Sequence, residues 1–174
     1  MTDFSAYNLN EVLNKSLKNI NFKSPTPIQE KSIPLILKGN DILGSAQTGT
    51  GKTAAFCIPI LELLMKSSRG SLLVMIPTRE LAKQVLDVID SLLGFKSSIN
   101  TATLIGGESM SKQLSELKKR PRIYVGTPGR INDHLQRGSL NLHDAKYLVL
   151  DETDRMLDMG FEVQINKIIK FLPI

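Results

Sequence analysis

The chain has one cysteine, Cys57, and two histidines, His134 and His143, among its 174 residues. A single cysteine excludes a disulfide within the chain. Neither histidine has a partner at metal-ligand spacing, so neither is assigned a metal. No apolar run approaches the roughly 18–20 residues that a membrane span needs. The first residues, MTDFS, lack the basic stretch followed by an apolar one that marks a secretory signal. These absences point to a cytoplasmic protein with no membrane and no disulfide partner. There is also no internal repeat, low-complexity tract or linker, so one domain is expected. With 41% apolar residues the chain can bury a core. A net charge of +5 tilts the choice of partner toward a polyanion.

Apolar patterning supplies the elements. Leu9, Val12, Leu13 and Leu17 share one face of a helix over 8–19, with Asn8 or Asn10 as its cap. Pro25 and Pro27 mark a turn and the start of a second helix, which runs to about Lys38. Residues 41–44 read as a short buried strand and 51–66 as a helix. Residues 72–76, 99–105, 122–125 and 147–150 read as further strands. Helices are expected over 79–93, 109–119, 129–137 and 161–171. Alternating helices and apolar strands predict an α/β fold, a mostly parallel sheet covered on both faces.

The stretch AQTGTGKT, residues 46–53, lies between the expected strand at 41–44 and the helix that follows. A Gly-rich turn ending in Gly-Lys-Thr between strand and helix is the setting of a phosphate-binding loop. Its backbone N–H groups converge on phosphate oxygens, Lys52 reaches the β- and γ-phosphates, and the Thr53 hydroxyl binds Mg²⁺. Ala46 stands where the strict pattern has glycine. The second element is DETD, residues 151–154, directly after the strand ending at Leu150. There Asp151 would hold the Mg²⁺, partly through water, and Glu152 would orient or deprotonate the attacking water. The competing reading is that the acidic pair caps the following helix.

Together these segments resemble the first RecA-like domain of the DEAD-box RNA helicases. The resemblance runs through Phe4, NFKSPTPIQ (21–29), AQTGTGKT, PTRELA (77–82), Gly106-Gly107, TPGR (127–130) and DETD, in the family's order. It implies an ATP-binding helicase domain over 1–174, with an adenine-recognition segment at 4–29 that selects ATP through Gln29. It implies that Phe4 stacks near the adenine, the alternative being a core residue under the first helix. Thr48, Gly49, Thr50, Gly51, Lys52 and Thr53 would hold the phosphates and Mg²⁺, and Lys52, Asp151 and Glu152 would be catalytic. Arg79, Gly107, Thr127 and Arg130 would touch the sugar-phosphate backbone of single-stranded or duplex RNA, though both arginines could also be solvated surface charges. Asp154 would couple to a second RecA-like domain.

Asn21 and Thr153 replace residues usual in the family, glycine and alanine. The family also continues past the last helix into a further strand and a second domain, neither of which follows here. The expected consequence is a gap in the sheet, and a chain that binds nucleotide weakly and hydrolyses it almost not at all. Two alternatives remain: a non-catalytic nucleotide- or protein-binding module, and a DNA helicase with a similar pocket.

Overall fold

The computed structural model describes residues 3–94 and 97–173. Met1 and Thr2, part of the stretch read for a signal, and Ile174, at the end of the chain, lie outside the described residues. The backbone groups into two compact units, Met1–Ser68 with Asp87–Ser97, and Arg69–Leu86 with Ser98–Ile174.

The first unit is helical. A short 3-10 helix, Phe4–Tyr7, precedes α1 (Glu11–Asn19), α2 (Pro27–Leu37) and α3 (Lys52–Lys66). Asn10 starts α1 by accepting the Val12 amide at 2.8 Å. Pro27 pre-sets the first turn of α2, and α2 packs along α3. Cys57 is buried in α3. Glu62, on the same helix, is a fully buried carboxylate. It is stabilised by the Asn10 amide at 2.6 Å and the Lys66 ammonium at 2.9 Å, as a buried charge must be.

Two expectations fail in this unit. Val12 is 42% exposed while Leu9, Leu13 and Leu17 are buried, so the apolar face of α1 is narrower than its periodicity suggests. Residues 41–44 form no strand at all. Ile42 is 39% and Leu43 104% exposed. A strand exists only through hydrogen bonds to a neighbour, and no strand among the described residues pairs with this one. Apolar sequence alone therefore left it irregular and exposed.

The second unit holds the sheet. Its strands are β1 (Ser71–Met75), β2 (Thr101–Leu104), β3 (Ile123–Gly126) and β4 (Ala145–Leu150). They are all parallel, in the order β2-β3-β1-β4. Central β1 and β3 are buried along their whole length, whereas the outer strands are only partly so, with Leu148 of β4 38% exposed. The expectation of strands apolar on both faces thus holds for the inner pair alone.

Between the strands run α4 (Arg79–Leu93), α5 (Met110–Lys118) and α6 (Pro128–Gln136), followed by α7 (Thr153–Asp158) and α8 (Glu162–Ile169). Apolar patterning predicts neither α7 nor the 3-10 helix. The core includes Leu73, Met75, Leu104, Ile131 and Met156. Gly126 is required here, since a Cβ would stand 2.9 Å from that of Leu104 and meet its carbonyl oxygen. No helix among the described residues is long and apolar enough to cross a membrane. Because all four strands are parallel, their C-terminal ends share one edge, where ligands of open α/β sheets gather. That edge carries the segments that begin at Pro77, Gly106, Thr127 and Asp151.

Candidate functional site

The 46–53 loop has the backbone of an anion cradle. Gly49 and Gly51 take φ of 82° and 85°, left-handed values that glycine adopts without strain. Ala46 is not among the positive-φ residues, which is why alanine is tolerated there. Thr50 closes the turn through its hydroxyl to the Gln47 carbonyl at 2.6 Å. Gly51 is the N-cap of α3 and has no side chain to cap it. The first amides of α3 thus keep their donors for an anion, with the positive end of the helix dipole behind them. Lys52 and Thr53 open the helix and are half-exposed.

Gln29 reaches this loop. Its Nε2 donates to the Gly51 carbonyl at 3.1 Å and its Oε1 accepts the Thr26 amide at 3.0 Å. Both bonds use only half of each amide end, leaving one N–H and one lone pair. The contact also dictates Gly51, because a Cβ there would sit 2.5 Å from Gln29 Nε2. Phe4 is placed differently from a base-stacking platform. It is 3% exposed, with the Tyr7 and Phe22 rings each 6.2 Å away, so in this conformation neither face is open.

The acidic turn follows β4. The Asp151 amide donates to the Met75 carbonyl at 3.0 Å, prolonging the ladder by one residue. Asp151 Oδ1 accepts the Glu152 amide at 3.0 Å. Glu152 holds φ 52°, ψ 50°, a costly conformation for a residue with a Cβ. It occupies the N-cap of α7 but caps nothing with its side chain; its carboxylate meets Arg155 at 3.2 Å instead. Simple helix capping therefore does not account for the pair. The Thr153 hydroxyl donates back to the Leu150 carbonyl at 3.1 Å, which disposes of the extra polar group relative to alanine. Asp154 is exposed.

The basic segments lie on the same sheet edge. The Arg79 guanidinium rests on the Gly106–Gly107 turn, and a Cβ on Gly107 would lie 2.6 Å from its Cζ. Gly107 also has φ 73°. Thr127 is the N-cap of α6, and Pro128 takes its first turn. A Cβ added at Gly129 would meet nothing within 4 Å, so a ligand backbone can approach the helix end. The Arg130 side chain is only 17% exposed, with Asp133 at 4.0 Å, and its Nη1 is buried with no hydrogen-bond partner. A guanidinium so placed is suited to an incoming oxyanion. Arg130 is thus no freely solvated charge, whereas Arg79 is exposed and lies against the Gly106–Gly107 turn.

The structure thus joins Gln29 to Gly51 and Arg79 to Gly107, and puts Thr127, Arg130, Asp151 and Glu152 on one edge by topology. Sequence reasoning missed Arg155 as the partner of Glu152, which its i+3 spacing could have shown. It also passed over Thr26, whose amide Gln29 engages through a capping-box spacing.

Comparison with known proteins agrees with this geometry. The DEAD/DEAH box helicase family model matches residues 26–174. The chain is 47% identical over 174 residues to an ATP-dependent RNA helicase CshA of Listeria monocytogenes, covering 99% of this chain and 33% of that protein. It is 46% identical to an ATP-dependent rRNA helicase RRP3 of Gibberella zeae, covering 98% and 35%. A DEAD box protein from the hyperthermophile Methanococcus jannaschii superposes with a TM-score of 0.92 at 43% identity, over 99% of this chain and 47% of that one. That match makes the fold RecA-like. The chain spans about a third of the length of these curated relatives. On the family model and these relatives together, the chain belongs to the DEAD/DEAH box helicase family.

Proposed function

We propose that this chain is the ATP-binding half of an ATP-dependent RNA helicase or RNP remodeller, gripping the RNA backbone and working with a second RecA-like domain. The observation that carries the nucleotide part is Gln29 seated on the Gly51 carbonyl at 3.1 Å, directly behind an uncapped helix start. A side chain that reads the base is thereby bonded to the loop that holds the phosphates.

On this reading the free N–H and lone pair of Gln29 meet the acceptor and donor on the adenine edge, a pattern guanine reverses. Thr48, Gly49, Thr50 and Gly51 wrap the phosphates, and Lys52 neutralises the β- and γ-oxygens. Thr53 offers an oxygen to Mg²⁺, which takes only one or two from protein when phosphates complete its shell, and Asp151 is a carboxylate suited to the ion or its water; the ion would add charge neutralisation on the transferring phosphoryl. Glu152 holds the attacking water. Phe4 contributes to adenine stacking only if its ring leaves the Tyr7–Phe22 cluster. Arg79, Gly107, Thr127 and Arg130 hold RNA phosphates and sugars, contacts that carry no base sequence. Asp154, exposed at the start of α7, faces the second domain.

Titration with a fluorescent ADP analogue tests the reading. ATP is expected to compete and GTP to compete poorly. Equal competition by both would refute the assignment of Gln29.

A further inference from the structure

His134 has no part in the reading above, yet it is among the most tightly held side chains of the second unit. It is 0% exposed and lies on α6, one helical turn beyond Arg130. Its Nε2 is 2.9 Å from Gln113 Oε1, on α5. Gln113 is also fully buried, and its Nε2 donates to the Ile105 carbonyl at 2.7 Å. The next residues are Gly106 and Gly107, on which Arg79 rests. On its other side, His134 Nδ1 is 2.8 Å from Ser139 Oγ.

The chemistry of these partners fixes the protons. The Ile105 carbonyl only accepts, so the Gln113 NH₂ faces it and Oε1 faces His134. His134 Nε2 must then carry hydrogen. Burial, with Arg130 and Arg137 nearby, holds the imidazole below its ordinary pKa, against the opposing pull of Asp133. The ring is therefore neutral at pH 7, and its Nδ1 and the His134 carbonyl, 2.8 and 3.1 Å from Ser139 Oγ, share that hydroxyl's single proton. His134, Gln113 and the Ile105 carbonyl form one directed chain inside the protein, with Ser139 against its outer end. Apolar contacts would tolerate sliding of α6 past the Gly106–Gly107 turn. Hydrogen bonds in a dry interior do not, because each is satisfied at one separation and orientation.

We propose that His134 and Gln113 are positioning residues for RNA-backbone binding. From the last turn of α6 they tie the helix, whose first turn carries Arg130 beside its N-cap Thr127, to the strand end that leads into the Gly106–Gly107 turn on which Arg79 rests, so that two phosphate-gripping segments keep a fixed spacing. The inference rests on the RNA reading given above and adds the residues that set its geometry.

The test uses the full chain, a fluorescein-labelled oligouridine RNA and a fluorescent ADP analogue. His134→Leu and Gln113→Met should each weaken RNA binding about tenfold, the equivalent of one hydrogen bond. His134→Gln, which keeps a donor toward Gln113, should stay within about twofold of wild type. Nucleotide affinity should not change in any of them, whereas a general loss of structure would lower both affinities. Imidazole ¹⁵N shifts of the wild-type protein should report the Nε2-protonated neutral ring, with no variant needed. RNA binding unchanged in both His134→Leu and Gln113→Met, or an Nδ1-protonated ring, overturns the inference. Wild-type protein that binds nucleotide but no RNA overturns the RNA reading itself.

Discussion

Gly107→Ala separates the two demands made on one turn. The first demand is conformational. At φ 73° a residue with a Cβ pays about 1–2 kcal/mol, which in a chain of this size lowers Tm by about 2–8 °C. The second is spatial. The new methyl would lie 2.6 Å from Arg79 Cζ and 3.1 Å from its Nη2. Both atoms are at the far end of a flexible side chain, so the guanidinium swings away and the fold survives. If that guanidinium grips a phosphate, one charge-assisted hydrogen bond is lost, about 1.5–3 kcal/mol, or about 10- to 150-fold in RNA affinity. Fluorescence anisotropy at fixed salt measures the loss, and a thermal melt measures the strain. Arg79→Ala should produce the same loss of affinity and reduce the slope of affinity against salt by about one. The double variant should bind no more weakly than Arg79→Ala alone, because the alanine acts through the arginine. The reasoning is refuted if Gly107→Ala binds RNA like wild type while Arg79→Ala does not, or if the two losses simply add.

Other changes should act elsewhere. Gly51→Ala places a methyl 2.5 Å from Gln29 Nε2 and should weaken ADP-analogue binding at least about tenfold while leaving RNA binding in the absence of nucleotide intact. Gly126→Ala presses on the Leu104 backbone and should cost about 3 kcal/mol or more in urea denaturation; Gly129→Ala, helical and open to space, should raise stability by about 0.5–1 kcal/mol. His134 is held neutral in the fold, so below about pH 6.5 the unfolded chain takes up a proton that the folded chain refuses. Stability should therefore fall as pH drops from there toward the lowered folded pKa, and His134→Gln should flatten that part of the Tm–pH curve.

Much of this is legible in the residues themselves. The phosphate loop is visible because its glycines sit where a left-handed backbone is needed, at Gly49 and Gly51. Helices with strong periodicity or a clear cap, such as α2 after Thr26-Pro27 and α4 after Pro77-Thr78, match their expected bounds within a residue or two. The failures have a common physical cause, which is that burial depends on partners that local pattern cannot name. Residues 41–44 are apolar enough for a strand but have no neighbour to pair with. Val12 follows the period of its helix and still faces solvent. Phe4 reads as a stacking ring with core as the alternative, and in this conformation it is buried beside the Tyr7 and Phe22 rings. His134 carries a signal that spacing for metals does not catch: it falls on the same helix face as Ile131 and Leu135, and a polar residue on a buried face must find partners.

The central claim is that one chain reads adenine through Gln29 and holds phosphate through Lys52 in a single act. Its most direct test is isothermal titration of ADP, ATP and GTP into wild type, Gln29→Ala and Lys52→Ala. The account predicts that wild type binds the adenine nucleotides in preference to GTP, that Gln29→Ala erases the preference, and that Lys52→Ala weakens ATP more than ADP. A wild-type chain that binds GTP as tightly as ATP, or a Gln29→Ala chain that keeps the preference, would contradict it.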